Sequence, residues 1–223
     1  MQCGRVGGRH FFQEDTLFHF DSGCLCFLSL FEKNLNIIWF SAYLIVPLRI
    51  GMTQLKRWLV WLSRIHHCLG FGIQSPTDYS FVRYVVNEHT RYYAYDELRD
   101  DDWLTLKLGR LYFRLANWRQ PSVMLRDEFQ KYWQAGCRRL SFSDFVDRIE
   151  LARITIEDQT GWNSLLRKVD EHSVIVVEGI WRNPQQWKSI RQADQVMTTF
   201  DLYYCGIVLF EKKRYQKHYI INF

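Results

Sequence analysis

The sequence predicts an α/β fold: a parallel sheet with right-handed helical crossovers, entered through a helical region and closed by an antiparallel meander. Three observations carry this. Between Pro121 and Gln192 short apolar runs alternate with amphipathic ones, the pattern of β-strands joined by helices. The run "SVIVVEG", Ser173 to Gly179, is unbroken and β-branched, as in a strand covered on both faces. The last stretch, Gln195 to Phe223, offers three strand-like runs with short links and no helical period.

The 223 residues are 48% hydrophobic and 17% aromatic, with nine Trp, so one compact core is the default. A net charge of +5 is spread among acids without a dense basic cluster, which gives no signal for nucleic acid. Six cysteines form no Cys-x-x-Cys pair and do not combine with His66 and His67 at zinc-ligand spacing, so no structural metal is expected. Isolated thiols of this kind suit a reducing, cytoplasmic compartment.

Residues 1–51 differ from the rest. Two apolar stretches, Cys24 to Phe31 and Leu35 to Leu48, lack helical or strand period. Each is shorter than the roughly 20 residues of a spanning helix, and the start lacks the order of a signal peptide. The expectation is that Met52 is the true start and that 1–51 is a mis-annotated or disordered extension; a membrane-associated extension is the rival reading.

From Met52 the elements follow in order. "MTQLKRWLVWLSRI" carries Leu55, Trp58, Leu59, Leu62 and Ile65 at helical spacing, and Gly70 and Gly72 end it. Ser75-Pro76 starts a second helix with Phe81, Val82, Val85 and Val86 as its stripe. A third covers Trp103 to Trp118, with Leu104, Leu108, Leu111, Tyr112, Leu115 and Trp118 on one face, closed by Pro121. Residues 52–120 are thus an N-terminal helical region, and 121–223 the α/β domain. There, "SVMLRD" reads as a strand, "EFQKYWQAG" as a helix, "RRLSF" and "LARITI" as strands, "GWNSLLRKVDE" as a helix, "SVIVVEG" as a strand, and Pro184 to Gln192 as a helix.

The stretches "GFGIQSPTDYSFVRYVVNEHTRYYAYDEL", "LGRLYFRLANWRQP", "HSVIVVEGI" and "FDLYYCGIVLFEKKRYQKHYIINF" resemble a bacterial family of class I S-adenosylmethionine-dependent methyltransferase-like proteins, over about residues 64–223. The resemblance implies a Rossmann-like methyltransferase sheet of seven mostly parallel strands with an antiparallel hairpin toward the C-terminus. It also implies S-adenosylmethionine over the carboxyl ends of the first strands. A typical member has an acid and several glycines after the first strand, since glycine lets the backbone approach the ligand. Here Asp127 and Glu128 supply the acid, but no glycine lies between Gly109 and Gly136, and Phe129, Tyr132 and Trp133 stand where the cofactor needs room. The chain between Asp144 and "LARITI" is too short for the family's next strand-helix unit of about thirty residues, so the fold is expected to be truncated.

Three acids are the site candidates that follow. Asp127 and Asp144, after the first and second strands, are the cofactor-binding ones; for Asp144 the stronger reading is a solvent-facing cap before a helix at "FVDRIE". Glu178, followed by Gly179 at a carboxyl strand end, is the candidate catalytic carboxylate, with a salt-bridging role as its alternative. Tyr92, Tyr93 and Tyr95 line a substrate mouth or pack a helical lid onto the sheet. Cys205 lacks a base nearby in sequence, and Gly206 is expected to relieve the turn after Tyr203 and Tyr204. The functional expectation is a methyltransferase-like protein with impaired or lost S-adenosylmethionine binding. It would act on an unknown methyl acceptor or a protein partner, as a scaffold or partner subunit; contact of residues 52–70 with a membrane surface is the further alternative.

Overall fold

The computed structural model describes residues 52–98, 102–212 and 215–223. The expectations for 1–51 lie outside the described residues. Residues Met52 to Leu62 and Ser63 to Phe223 belong to separate units of the chain. The first supplies most of α1 (Met52–Ser63), in which Trp58 and Trp61 meet edge to face at 6.2 Å.

The α-helix expected to run to Gly70 ends earlier, at Ser63; a 3₁₀ segment (Ile65–Gly70), non-helical at His67 to Leu69, leads to Gly70 and Gly72, both at positive φ. α2 (Pro76–Phe81) starts with Pro76 in its first turn and the Ser75 side chain accepting the Asp78 N–H, then continues as a π-helical turn through Val82–Val86. A short α3 (Ala94–Glu97) precedes α4 (Trp103–Arg119), whose N-terminus is capped by the Asp102 carboxylate on the Thr105 N–H. α4 is buried on more than the predicted face: Phe113, Arg114 and Ala116 are enclosed along with Leu108, Leu111, Tyr112 and Leu115.

The strands and helices then alternate as the sequence predicts: β1 (Val123–Leu125), α5 (Gln130–Gly136), β2 (Ser141–Ser143), β3 (Ile149–Thr155), α6 (Gln159–Leu166), β4 (Val169–Glu178), α7 (Pro184–Arg191), β5 (Thr198–Asp201), β6 (Cys205–Leu209) and β7 (Lys217–Ile220). β1 and β2 pair in parallel; β3 to β7 form a mixed sheet ordered β3-β4-β6-β5-β7. The Ser122 N–H and hydroxyl both donate to Glu150 Oε2, tying the start of β1 to β3. The structure is therefore mixed α/β.

Side-chain alternation splits the core into two layers, one on each face of the sheet. Leu151, Val174, Val176, Phe200, Ile207 and Leu209 face the helices before β1 and α5, whereas Ala152, Ile154, Ile175, Val177 and Val208 face α6 and α7. The run Ser173 to Val177 is buried throughout, which is why it carries no polar alternation.

The C-terminal strands depart from the predicted meander. β6 lies inside the sheet, antiparallel to both β4 and β5, and β7 pairs parallel with β5. The reason is burial: every residue of β6 is enclosed, so it takes a central place with both edges paired, and the free edge of β5 is what remains for β7. The turn between β5 and β6 is also different from the expectation. Tyr203, not Gly206, holds the positive φ, with Asp201 Oδ1 accepting its N–H at 3.0 Å. Gly206 is needed because Trp187 of α7 lies against it; a Cβ there would fall 2.2 Å from the indole ring. The segment after Asp144 forms no helix, so Asp144 caps none.

The C-terminal residues are stapled to the segment around Arg64. Arg64 bonds Asp201 Oδ1 at 2.7 Å and the carbonyls of Asp201 and Ile221, while Asn222 N–H donates to the His67 carbonyl. Among the described residues no helix is long and apolar enough to cross a membrane, and no group of three or more His, Cys, Asp or Glu is placed to hold a metal ion.

Gly206→Ala is expected to destabilise the protein by about 1–3 kcal/mol through overpacking against Trp187, read as a lower urea midpoint; an unchanged midpoint would contradict the packing. On β7, burial and the Arg191 charge hold His218 below its ordinary 6.5, with Nδ1 sharing a hydrogen bond with Thr199 Oγ1 at 2.8 Å. The folded state thus binds fewer protons than the unfolded one, so this residue's contribution to stability is present above pH 6.5 and is lost as pH falls through its folded value. Its imidazole resonances should titrate with a midpoint below 6.5; a midpoint at or above that value would refute the burial argument.

Candidate functional site

The carboxyl ends of β1 and β4 bring Asp127 and Glu178 to the same layer, on the α4 face of the sheet. Glu178 closes β4 with its side chain 21% exposed. Its Oε2 accepts two hydrogen bonds, from the Tyr112 hydroxyl at 2.9 Å and from Arg153 Nε at 2.7 Å. Arg153, only 7% exposed, reaches Glu128 with Nη2 and lies over the Phe129 ring at 4.6 Å. Tyr112 comes from the enclosed middle of α4, and burial pushes its hydroxyl far above the ordinary phenol range, with Cys205 and Glu178 adding to the rise. It therefore serves as a hydrogen-bond donor and not as a base. Burial opposes the charge of Arg153, but Tyr112 and Glu178 outweigh it and hold the guanidinium protonated.

Both donors meet the same carboxylate oxygen, and one of them is the guanidinium of a salt bridge. The geometry supports the salt-bridging alternative for Glu178. Cys205 is fully buried beside this cluster, and burial together with the Glu178 charge pushes its thiol up, so it is held as an inert thiol.

Asp127 is turned inward. Oδ1 accepts the Phe129 N–H at 2.8 Å and Oδ2 the Trp133 indole N–H at 2.9 Å. Burial raises its carboxyl, while Trp133 and the Arg153 charge pull the other way. Beside it Phe129 is 6% exposed, and Tyr132 and Trp133 are fully enclosed. Trp133 stacks on Tyr112 with ring centres 4.6 Å apart, and Tyr132 presses so closely on α4 that a Cβ at Gly109 would fall 2.4 Å from its ring. The residues present at this strand end do not fit S-adenosylmethionine: the acid that would meet it is spent on α5, and the space is filled.

Asp144 is not part of this cluster. It pairs with Arg126 at 3.4 Å on the surface, with its side chain 72% exposed. Of the tyrosines, Tyr93 is exposed, whereas Tyr92 and Tyr95 pack on each other and on Phe113 of α4, a helix and not the sheet. His66 is exposed and His67 half-buried.

Tyr112 and Arg153 are the partners that sequence reading did not single out. The signal for Arg153 was a cation inside the apolar strand "LARITI", on the same face as Leu151 by strand alternation. Tyr112 stood in the predicted apolar face of α4 and gave no sign of a polar contact 66 residues away.

Arg153→Met would leave Glu178 facing Tyr112 without its countercharge. The expected cost is about 3 kcal/mol, the low end for breaking a buried pair, because Glu178 keeps some water. Tyr112→Phe removes one hydrogen bond, for about 1–2 kcal/mol. Chemical unfolding of both variants checks the order; a harmless Arg153→Met would show that the pair is not structural. In comparisons with family models, with curated proteins and with solved structures, nothing matches this chain.

Proposed function

We propose that the chain is a methyltransferase-like α/β protein whose cofactor end is closed, acting as a non-catalytic binding or partner subunit rather than as a methyl-transferring enzyme. The observation that carries this reading is the enclosed aromatic group Tyr112, Phe129, Tyr132 and Trp133 at the β1 end, held by an Asp127 whose two oxygens are both engaged. An α/β site needs an open carboxyl strand end with backbone N–H groups facing the ligand. This end offers neither room nor a glycine turn.

Two features support the methyltransferase-like, Rossmann-like lineage within this reading. The described strands number seven and pair mostly in parallel along β1-β2, β3-β4 and β5-β7. The antiparallel hairpin is β5-β6, toward the C-terminus. The link from β2 to β3, Asp144 to Arg148, is a short loop where the family places a further strand and helix; this departure is the truncation that the reading includes.

Calorimetric titration of S-adenosylmethionine and S-adenosylhomocysteine into the full chain tests the proposal. A folded sample is expected to give no saturable heat. Saturable binding at micromolar concentration, weakened by Asp127→Asn, would overturn the closed-site reading and restore an enzyme.

A further inference from the structure

Away from the Glu178 cluster, α4, the segment from Val86 to Asp96 and Phe223 line an open cavity of about 870 Å³, a size that suits a small organic ligand. Its lining includes four Lys or Arg residues and two carboxylates. Both carboxylates are already engaged: Glu88 accepts the Tyr92 hydroxyl at 2.6 Å, and Asp96 pairs with Arg91.

The remaining three cations, Lys107, Arg110 and Arg114, recur along α4 at spacings of three and four and so share one side of the helix. None of the three is in an ion pair among the described residues. Arg114 is enclosed and bonds the carbonyls of Val85 and Val86, so its charge enters the cavity as a field. Arg110 lies over the Tyr95 ring at 5.1 Å, its Nε without a partner. Lys107 lies 4.4 Å from the Phe223 ring centre and 5.2 Å from that of Trp103. Burial first, and then the Arg114 charge, push its ammonium down to about 8. Asn87, 8% exposed in the same wall, has an amide nitrogen with no acceptor.

Among the described residues, the lining groups left without a hydrogen-bond partner, Arg110 Nε and the Asn87 amide nitrogen, are both donors, and the three α4 cations set against the Glu88 carboxylate leave the lining net positive. Buried charges and donors without partners are costly, and a ligand that supplies acceptors with two or more negative charges removes that cost. A single carboxylate would leave part of that charge uncompensated. We propose that this cavity binds a small phosphorylated molecule, its phosphate between Lys107 and Arg110 and its organic part beside Trp103 and Tyr95. The site is distinct from the β1 end, and it stands whether or not that end binds a cofactor.

The test is calorimetric titration of pyrophosphate and, separately, of phenyl phosphate into the full chain at low ionic strength. One-to-one saturable binding of either probe is expected, weakened about tenfold or more by Lys107→Gln and by Arg110→Gln, as for loss of one charge-assisted hydrogen bond. Arg110→Lys, which keeps the charge, should retain more affinity than Arg110→Gln, and Lys188→Gln on the far face of the sheet should bind as the parent does. Unchanged melting temperatures separate loss of binding from loss of fold; a variant that melts early is replaced by the Arg110→Lys comparison. The proposal fails if neither probe gives saturable heat, or if Lys188→Gln weakens binding as much as the cavity variants do, which would mark a general surface effect. Preference for phenyl phosphate over pyrophosphate would place the organic part in the cavity; the reverse would place a diphosphate there. Either preference, with the cavity variants weakened, sustains the proposal.

Discussion

The burial of Arg114 is the constraint around which the helical region is arranged. A guanidinium taken out of water costs several kcal/mol unless its N–H groups find acceptors. Among the described residues no carboxylate pairs with it. Nε and Nη2 instead bond the carbonyls of Val85 and Val86, which close the helical stretch begun at Pro76, and Nη1 reaches the Tyr95 hydroxyl. The negative end of that helix is the kind of partner that accepts a cation, and its otherwise unmatched carbonyls are satisfied at the same time. One side chain therefore fixes where α2 ends, where Tyr95 packs, and how the segment between them borders α4. It also explains why the cavity beside Asn87 has a positive field: the charge that organises the helices is not cancelled within them.

Much of the architecture was legible because it rests on local period. The enclosed run Ser173 to Val177 and the Ser75-Pro76 start each encode a backbone requirement in neighbouring residues. The order of strands in the sheet does not. Nothing adjacent in sequence says that β6 lies between β4 and β5, because that choice follows from how much apolar surface β6 brings relative to β7, which alternates between half-buried and exposed. Gly206 shows the same limit: its lack of a side chain serves Trp187, a residue from the preceding helix, and not the turn next to it.

The candidate site was legible in part for a related reason. Strand-end reasoning found Glu178 and Asp127, since carboxyl strand ends are where α/β sheets place polar side chains. It did not find what those carboxylates bond, because Tyr112 lies on a distant helix and Arg153 two strands' worth of chain away. Asp144 satisfied the same rule and yet faces water beside Arg126. A strand-end acid is therefore a position, and only the groups around it decide whether it is a ligand, a base or a brace.

Energetics bear on whether the β1 end opens to a ligand. Removing a large buried aromatic side chain costs about 3–5 kcal/mol in protein cores, so displacing both Tyr132 and Trp133 from their fully enclosed positions would cost roughly 6–10 kcal/mol. A ligand held at micromolar affinity has about 8 kcal/mol of binding free energy in total. Most or all of that would be consumed before any net binding, and the Asp127 hydrogen bonds to α5 would be lost as well. The cavity on α4 presents the opposite balance. There, among the described residues, Arg110 Nε and the Asn87 amide nitrogen lack partners, so filling the space relieves a cost already present in the folded chain instead of adding one. If the protein exchanges a small molecule with its surroundings, the free energy favours the helical face over the strand end.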